Sequence, residues 1–203
     1  MKMNKFAEEV HQNAVEHGWW DEERSFGEII ALCHSELSEA LEEYRAKRPM
    51  VYFAVEMDDG KGGTYPAIRE DIISKEDFTG EKPEGIAVEL ADCIIRILDW
   101  YGKEGLDTDA LLLEAGIITM YDLPTPVYGS FGDFIVLLHN LLSMAYACWC
   151  NASGTSASAL RLAKCIREIM AWAKENGVDM EMVLDMKHEY NKGRPYRHGG
   201  KAL

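Results

Sequence analysis

The chain has 203 residues, 47% of them apolar, which is enough for one sizeable core or two small ones. Its formal charge of -14 speaks against nonspecific binding to DNA or to a membrane, because most of the surface repels a polyanion. A phosphate-bearing ligand needs bridging cations.

The N-terminal MKMNKFAEEV has no apolar signal-peptide core. Trp19 and Trp20, in HGWWDEE, offer indole faces that suit a nucleobase, with core packing as their other role. From Phe26, the residues Ile29, Ile30, Cys33, Leu37, Ala40, Leu41 and Tyr44 recur at three- and four-residue steps, which predicts a helix. Between Lys47 and Gly85 lies an insertion whose stretch VYFAVEMDDGKGGTYPAI predicts a small hairpin or an ordered loop over about 50–80. It reads as a surface excursion, with a lid over the site as the alternative. Ile86, Leu90, Cys93, Ile94, Ile97 and Tyr101 predict a second helix, stopped at Gly105. YDLPTPVYG, Tyr121 to Gly129, joins the two halves. Phe131 to Trp149 and Ala157 to Asn176 predict further helices, and a last one from about Met180 to Asn191 ends before Gly193 and Pro195.

No apolar run approaches the ~18 residues of a membrane helix, so the cytoplasm is the expected compartment. Five cysteines are an odd number, and none of their spacings suits a zinc or CxxC redox site, so reduced thiols are expected.

The two halves resemble each other. Ser25 to Ala40 matches Ser130 to Ala145 at nine of sixteen positions, and Leu90 to Asp107 matches Leu162 to Asp179 at eight of eighteen, both without a gap. Four acids are lost in the second copy. Glu36 and Glu39 become Leu141 and Met144, while Glu89 and Asp92 become Arg161 and Lys164. Acids three apart lie within about 60° around a helix, so each pair projects together at the flank of its apolar stripe. Two such helices packed antiparallel bring the four carboxylates together, an arrangement that makes physical sense around cations, and all-oxygen ligands favour magnesium or manganese. ExxE and ExxD also occur on ordinary solvated faces. The internal comparison separates the two readings, because the second copy keeps its framework residues without the acids. His34, retained as His139, reads as structural.

Near the other end, KHEYNKGRPYRHGGK gathers Lys187, Asn191, Arg194, Arg197, His198 and Lys201. Lys187 and Asn191 sit one helical turn apart, and arginine forks and a lysine suit phosphate oxygens. A solvated tail is the alternative. Ala115 falls where Lys187 would in the first copy, so acids come from one half and bases from the other.

HSELSEALEEYR, KPEGIAVELADCIIRILDWYG and KHEYNKGRPYRHGGK together resemble the MazG-like branch of the all-α nucleoside triphosphate pyrophosphatases. The resemblance implies an all-α bundle of two tandem MazG-like repeats related by an internal pseudo-twofold. The first repeat and its N-terminal arm span 1–117, a linker spans 118–129, and the degenerate second repeat spans 130–203, together one compact domain. It also implies Mg²⁺-dependent cleavage between the α and β phosphates, with Mn²⁺ as a substitute ion and a nucleoside triphosphate as substrate. Glu36, Glu39, Glu89 and Asp92 would hold the metal. Glu39 is preferred over Glu36 for orienting the water. Lys187 and Asn191, helped by Arg194 and Arg197, would meet the phosphates. The insertion makes the interval between ExxE and ExxD longer than the family's usual one. Single-repeat members assemble as dimers or tetramers, whereas this chain carries a dimer's worth of helices and acts alone or pairs once more. The competing readings are a noncatalytic Mg-nucleotide sensor or adaptor, and a di-iron bundle, which needs paired ExxH motifs. ExxH is found only at Glu8 to His11, outside the repeats.

Overall fold

A computed structural model describes residues 2–70, 80–122, 129–151 and 154–200. The fold is all-α, with eight helices and a small sheet among the described residues: α1 Met3–Glu16, α2 Phe26–Arg45, β1 Tyr52–Asp58, β2 Thr64–Arg69, β3 Pro83–Glu84, α3 Ile86–Glu104, α4 Thr108–Asp122, α5 Phe131–Cys150, α6 Gly154–Glu175, α7 Met180–Lys192 and α8 Arg197–Gly200. The four helices read from periodicity at Phe26, Ile86, Phe131 and Ala157 are present, as is the one from Met180. Three more, α1, α4 and the short α8, join them without having stood out in the sequence.

Local chemistry sets the starts of the long helices. Ser25 accepts from the Glu28 amide at 3.2 Å while Glu28 accepts from the Ser25 amide at 2.7 Å, a reciprocal cap that fixes where α2 begins. Ser130 accepts from the Asp133 amide at 3.1 Å at the matched position of α5. Gly105 closes α3 in the left-handed conformation, φ 62°.

The insertion is the expected hairpin. β1 pairs antiparallel with β2, Phe53 opposite Arg69, and its other edge pairs with β3, Phe53 opposite Pro83. Gly85 follows at φ 117°, where an added Cβ would lie 2.7 Å from the carbonyl oxygens of Pro49 and Met50, so a larger residue there would force the hairpin base away. The Ala87 amide donates to the Met50 carbonyl at 2.9 Å and straps that base to the first turn of α3. Tyr52 and Phe53 are buried, whereas β2 stays largely exposed. Part of the insertion, 71–79, and half of the 118–129 linker, 123–128, lie outside the described residues, while 118–122, expected as linker, continue α4.

α2 packs on α3 and α5 on α6, while α2 and α5 face each other between the pairs. α1 covers α3 and α4 covers α6; α7 crosses back to lie on α3. Matched residues make matched contacts: Phe26 lies 4.7 Å from Trp100 and Phe131 lies 5.3 Å from Trp172, centroid to centroid. His34 and His139 meet across the α2–α5 seam with rings stacked at 5.0 Å and Nδ1 atoms 2.7 Å apart. One ring donates and the other accepts, the structural role read for His34. Burial lowers the pKa of both, which keeps the pair neutral.

A continuous cluster of buried side chains runs through α1, α2, α3, α5, α6 and α7. Each fully buried leucine in it, such as Leu90 or Leu142, adds roughly 1.5–3 kcal/mol. Cys33, Cys93 and Cys165 are buried free thiols within it. α5 corrects one expectation, because by length and composition this helix is apolar enough to cross a membrane. Its residues Phe134, Ile135, Leu138, Leu141 and Leu142 are instead buried against neighbouring helices. Exposed Val136 and Tyr146, outside that stripe, raise its overall apolarity, which counting uninterrupted apolar residues overlooks.

Candidate metal and phosphate site

The antiparallel packing of α2 on α3 turns Glu36 toward Glu89 and Asp92. Their ligand oxygens lie within 4.8 Å of one another, the one such group of three among the described residues. Glu36 and Glu89 are only 6% and 8% exposed, so water does little to screen their charges. Glu39, 60° further round α2, faces solvent and accepts from Ser35 Oγ at 3.2 Å. Three of the four acids read from the sequence thus converge, and the fourth stands on the rim.

Two cations balance the three acids. Lys187, on α7 and 3% exposed, places Nζ 2.7 Å from Asp92 Oδ2. Arg96, one turn beyond Asp92, donates through Nε at 3.1 Å and Nη2 at 3.0 Å, both to Glu36 Oε1. Burial, then the charge of Asp92, pushes Glu36 up to about 6 despite Arg96. The same two causes push Glu89 up to about 8, with Lys187 opposing. Burial works against charge on Lys187, yet Asp92, Glu89 and Glu36 outweigh it and raise its pKa. Glu36 and Glu89 therefore hold protons more tightly than free carboxylates do.

Beside the acids, a cleft of about 60 Å³ runs between α1, α3 and α7, lined by Trp19, Asp92, Arg96, His188, Asn191 and Arg194 among others. The enclosed space is below the ~300–1,000 Å³ usual for small-molecule sites, so a ligand held there would extend into open solvent. Two polar atoms on its wall, His188 Nε2 and Asn191 Oδ1, are buried without a hydrogen-bond partner among the described residues. Such atoms cost stability unless something satisfies them.

The remaining residues singled out in the sequence divide between ligand wall and support. Trp19 lines the cleft, with the Arg24 guanidinium 4.8 Å from its ring centre. Trp20 is pinned away from it, donating Nε1–H to Asp99 Oδ1 at 2.9 Å and packing edge-on to His11. Arg194 reaches the cleft and is half-buried, and burial lowers its pKa. Arg197 does not join the acids; its Nε donates to the Gly18 carbonyl at 3.1 Å and its Nη2 lies 3.4 Å from Glu22. The Tyr196 hydroxyl donates to Asp21. The C-terminal segment thus fastens the loop that carries Trp19. The side chain of His198, and Lys201, lie outside the described residues.

Arg96, Arg24 and His188 were not read from the sequence. For Arg96 the signal was there: its matched position is Glu168, so it reverses sign in the second half together with Glu89 and Asp92.

In comparisons with protein-family models, curated proteins and solved structures, nothing matches this chain. Chemistry of the donor set is then the remaining guide. Three carboxylates from two helices, gathered without nitrogen or sulfur, fit a hard divalent ion such as Mg²⁺ or Mn²⁺.

Proposed function

We propose that this chain is a Mg²⁺-dependent nucleoside triphosphate pyrophosphohydrolase, similar to the MazG-like enzymes. It would cleave the α–β phosphoanhydride to give the monophosphate and pyrophosphate, a housecleaning of the nucleotide pool. The carrying observation is the 2.7 Å contact of Lys187 with Asp92, which joins the acids of α2 and α3 to the basic face of α7 at the mouth of an indole-lined cleft. An acid cluster alone would suit a bare ion. Acids, lysine, arginine, asparagine and an indole together suit a metal-bound nucleotide.

On this reading Glu36, Glu89 and Asp92 hold the ion. When bound, Mg²⁺ supplies charge for the phosphate oxygens and a more acidic water. Lys187, Arg194 and Asn191 grip the phosphates and offset charge on the departing pyrophosphate. Glu39, whose carboxylate is exposed beside the cluster, accepts the proton of the attacking water as that water adds to phosphorus and the bridging bond breaks. Trp19 stacks on the base. Trp20 and Arg197 hold the walls.

We also read the chain as two repeats about an internal pseudo-twofold. The paired contacts Phe26–Trp100 and Phe131–Trp172, and the meeting of His34 with His139, support it. One site per chain follows, because Leu141, Met144, Arg161 and Lys164 cannot hold a cation. Free cysteines fit a reducing cytoplasm.

Pyrophosphate release across the canonical and damaged nucleoside triphosphates with Mg²⁺ tests the reading, with Glu36→Gln and Asp92→Asn as controls. Turnover by the parent and its loss in both variants is expected. Nucleotide binding without turnover would make the chain a sensor, and unchanged turnover in both variants would sink the site.

A further inference from the structure

Arg96 is tied to the acids and yet lines the cleft. Its guanidinium spends two donors on a single oxygen of Glu36, whereas a planar fork meets a carboxylate or phosphate best with one donor per oxygen. It lies on the same helix face as Asp92, one turn away, and Lys187 stands on the other side of that acid. The matched positions Arg161, Lys164 and Glu168 invert the signs of Glu89, Asp92 and Arg96 together. The framework therefore tolerates either sign at Arg96, and the residue belongs with the acids.

We propose that Arg96 is a positioning residue that exchanges partners: it neutralises Glu36 when the acids hold no metal, and turns its fork to the phosphates when a divalent cation takes Glu36. This rests on the triphosphate reading and adds a linkage that the reading does not require. Metal and phosphate then bind cooperatively, since each relieves a constraint on the other, and the coupling is reciprocal. Removal of Arg96 frees Glu36 for the ion and takes a grip away from the phosphates.

The test uses binding alone, with inorganic pyrophosphate followed by calorimetry and Mn²⁺ by electron paramagnetic resonance. In the parent protein, Mn²⁺ should tighten pyrophosphate binding by about fivefold or more, the lower end of usual site-to-site couplings. Arg96→Gln should bind Mn²⁺ at least as tightly as the parent and lose that enhancement. Arg96→Lys keeps a counter-charge for Glu36, guards against a folding defect, and should lose most of the enhancement with its melting temperature intact. Glu36→Gln, which releases the arginine without metal, should bind pyrophosphate more tightly than the parent in metal-free buffer. An enhancement left intact in both Arg96 variants, or a Glu36→Gln protein with unchanged metal-free binding, overturns the exchange while the triphosphate reading stands. No pyrophosphate binding by the parent with Mn²⁺ overturns both.

Discussion

The helix pairs α2–α3 and α5–α6 share matched residues and carry opposite charges at three matched places, Glu89, Asp92 and Arg96 against Arg161, Lys164 and Glu168, while Leu141 stands where Glu36 does. Both begin with a serine cap, both set a phenylalanine against a tryptophan, and both contribute one histidine to the seam between them. In α2–α3, Glu36, Glu89 and Asp92 converge and face Arg96 and Lys187. In α5–α6, Leu141, Arg161, Lys164 and Glu168 occupy the matched positions. What the pairs share holds the fold together, and what differs is free to serve chemistry. A single chain thus contains its own control.

The largest effects should strike what is shared. Trp100→Ala and Trp172→Ala should each lower stability by about 3–5 kcal/mol, read by urea unfolding, because each empties the same kind of aromatic contact. A strong effect at only one tryptophan would break the equivalence. Next come the charges, which should matter on one side alone. Asp92→Asn should reduce pyrophosphate release by about a hundredfold or more on the proposed reading. Met144→Ala, on the other pair, should leave it unchanged.

Acidity sharpens the contrast further. Glu36 and Glu89 are raised from an ordinary 4.5 to about 6 and about 8, so between those values the folded protein holds protons that the unfolded chain releases. The stability they contribute is full below pH 4.5 and is lost as the pH climbs to about 8. Through these two acids, metal-free protein should lose on the order of a few kcal/mol of stability between about pH 5.5 and about pH 8.5, opposed by the buried histidines, whose lowered pKa values contribute stability as the pH rises. Glu89→Gln should flatten that slope, and Mn²⁺ should restore the melting temperature most at the alkaline end. Smallest are the caps: Ser25→Ala and Ser130→Ala should each cost about 1 kcal/mol.

Much of this was legible in the residues. Apolar periodicity located α2, α3, α5, α6 and α7, and the Gly-rich tip in the insertion marked the hairpin. α1 and α4 were harder to see, since α1 carries no side-chain cap and α4 has little amphipathic contrast. For the site, the internal comparison picked out Glu36, Glu89 and Asp92, which do converge. Spacing could not tell that Glu39 turns to solvent, because i and i+3 share a face only to within about 60°, enough to part a buried acid from an exposed one. Nor could it tell that Arg197 serves as a prop, which depends on how the C-terminal segment meets the Trp19 loop, a contact between residues 175 or more apart in the chain, or that Trp20 is held by Asp99, 79 residues away. Sequence shows which residues change together; tertiary closure decides which of them touch.

Anomalous scattering from a crystal grown with Mn²⁺ tests the central asymmetry most directly. The account predicts manganese bound among Glu36, Glu89 and Asp92 and none beside Arg161 and Lys164. Manganese at neither place, or at both alike, would contradict it.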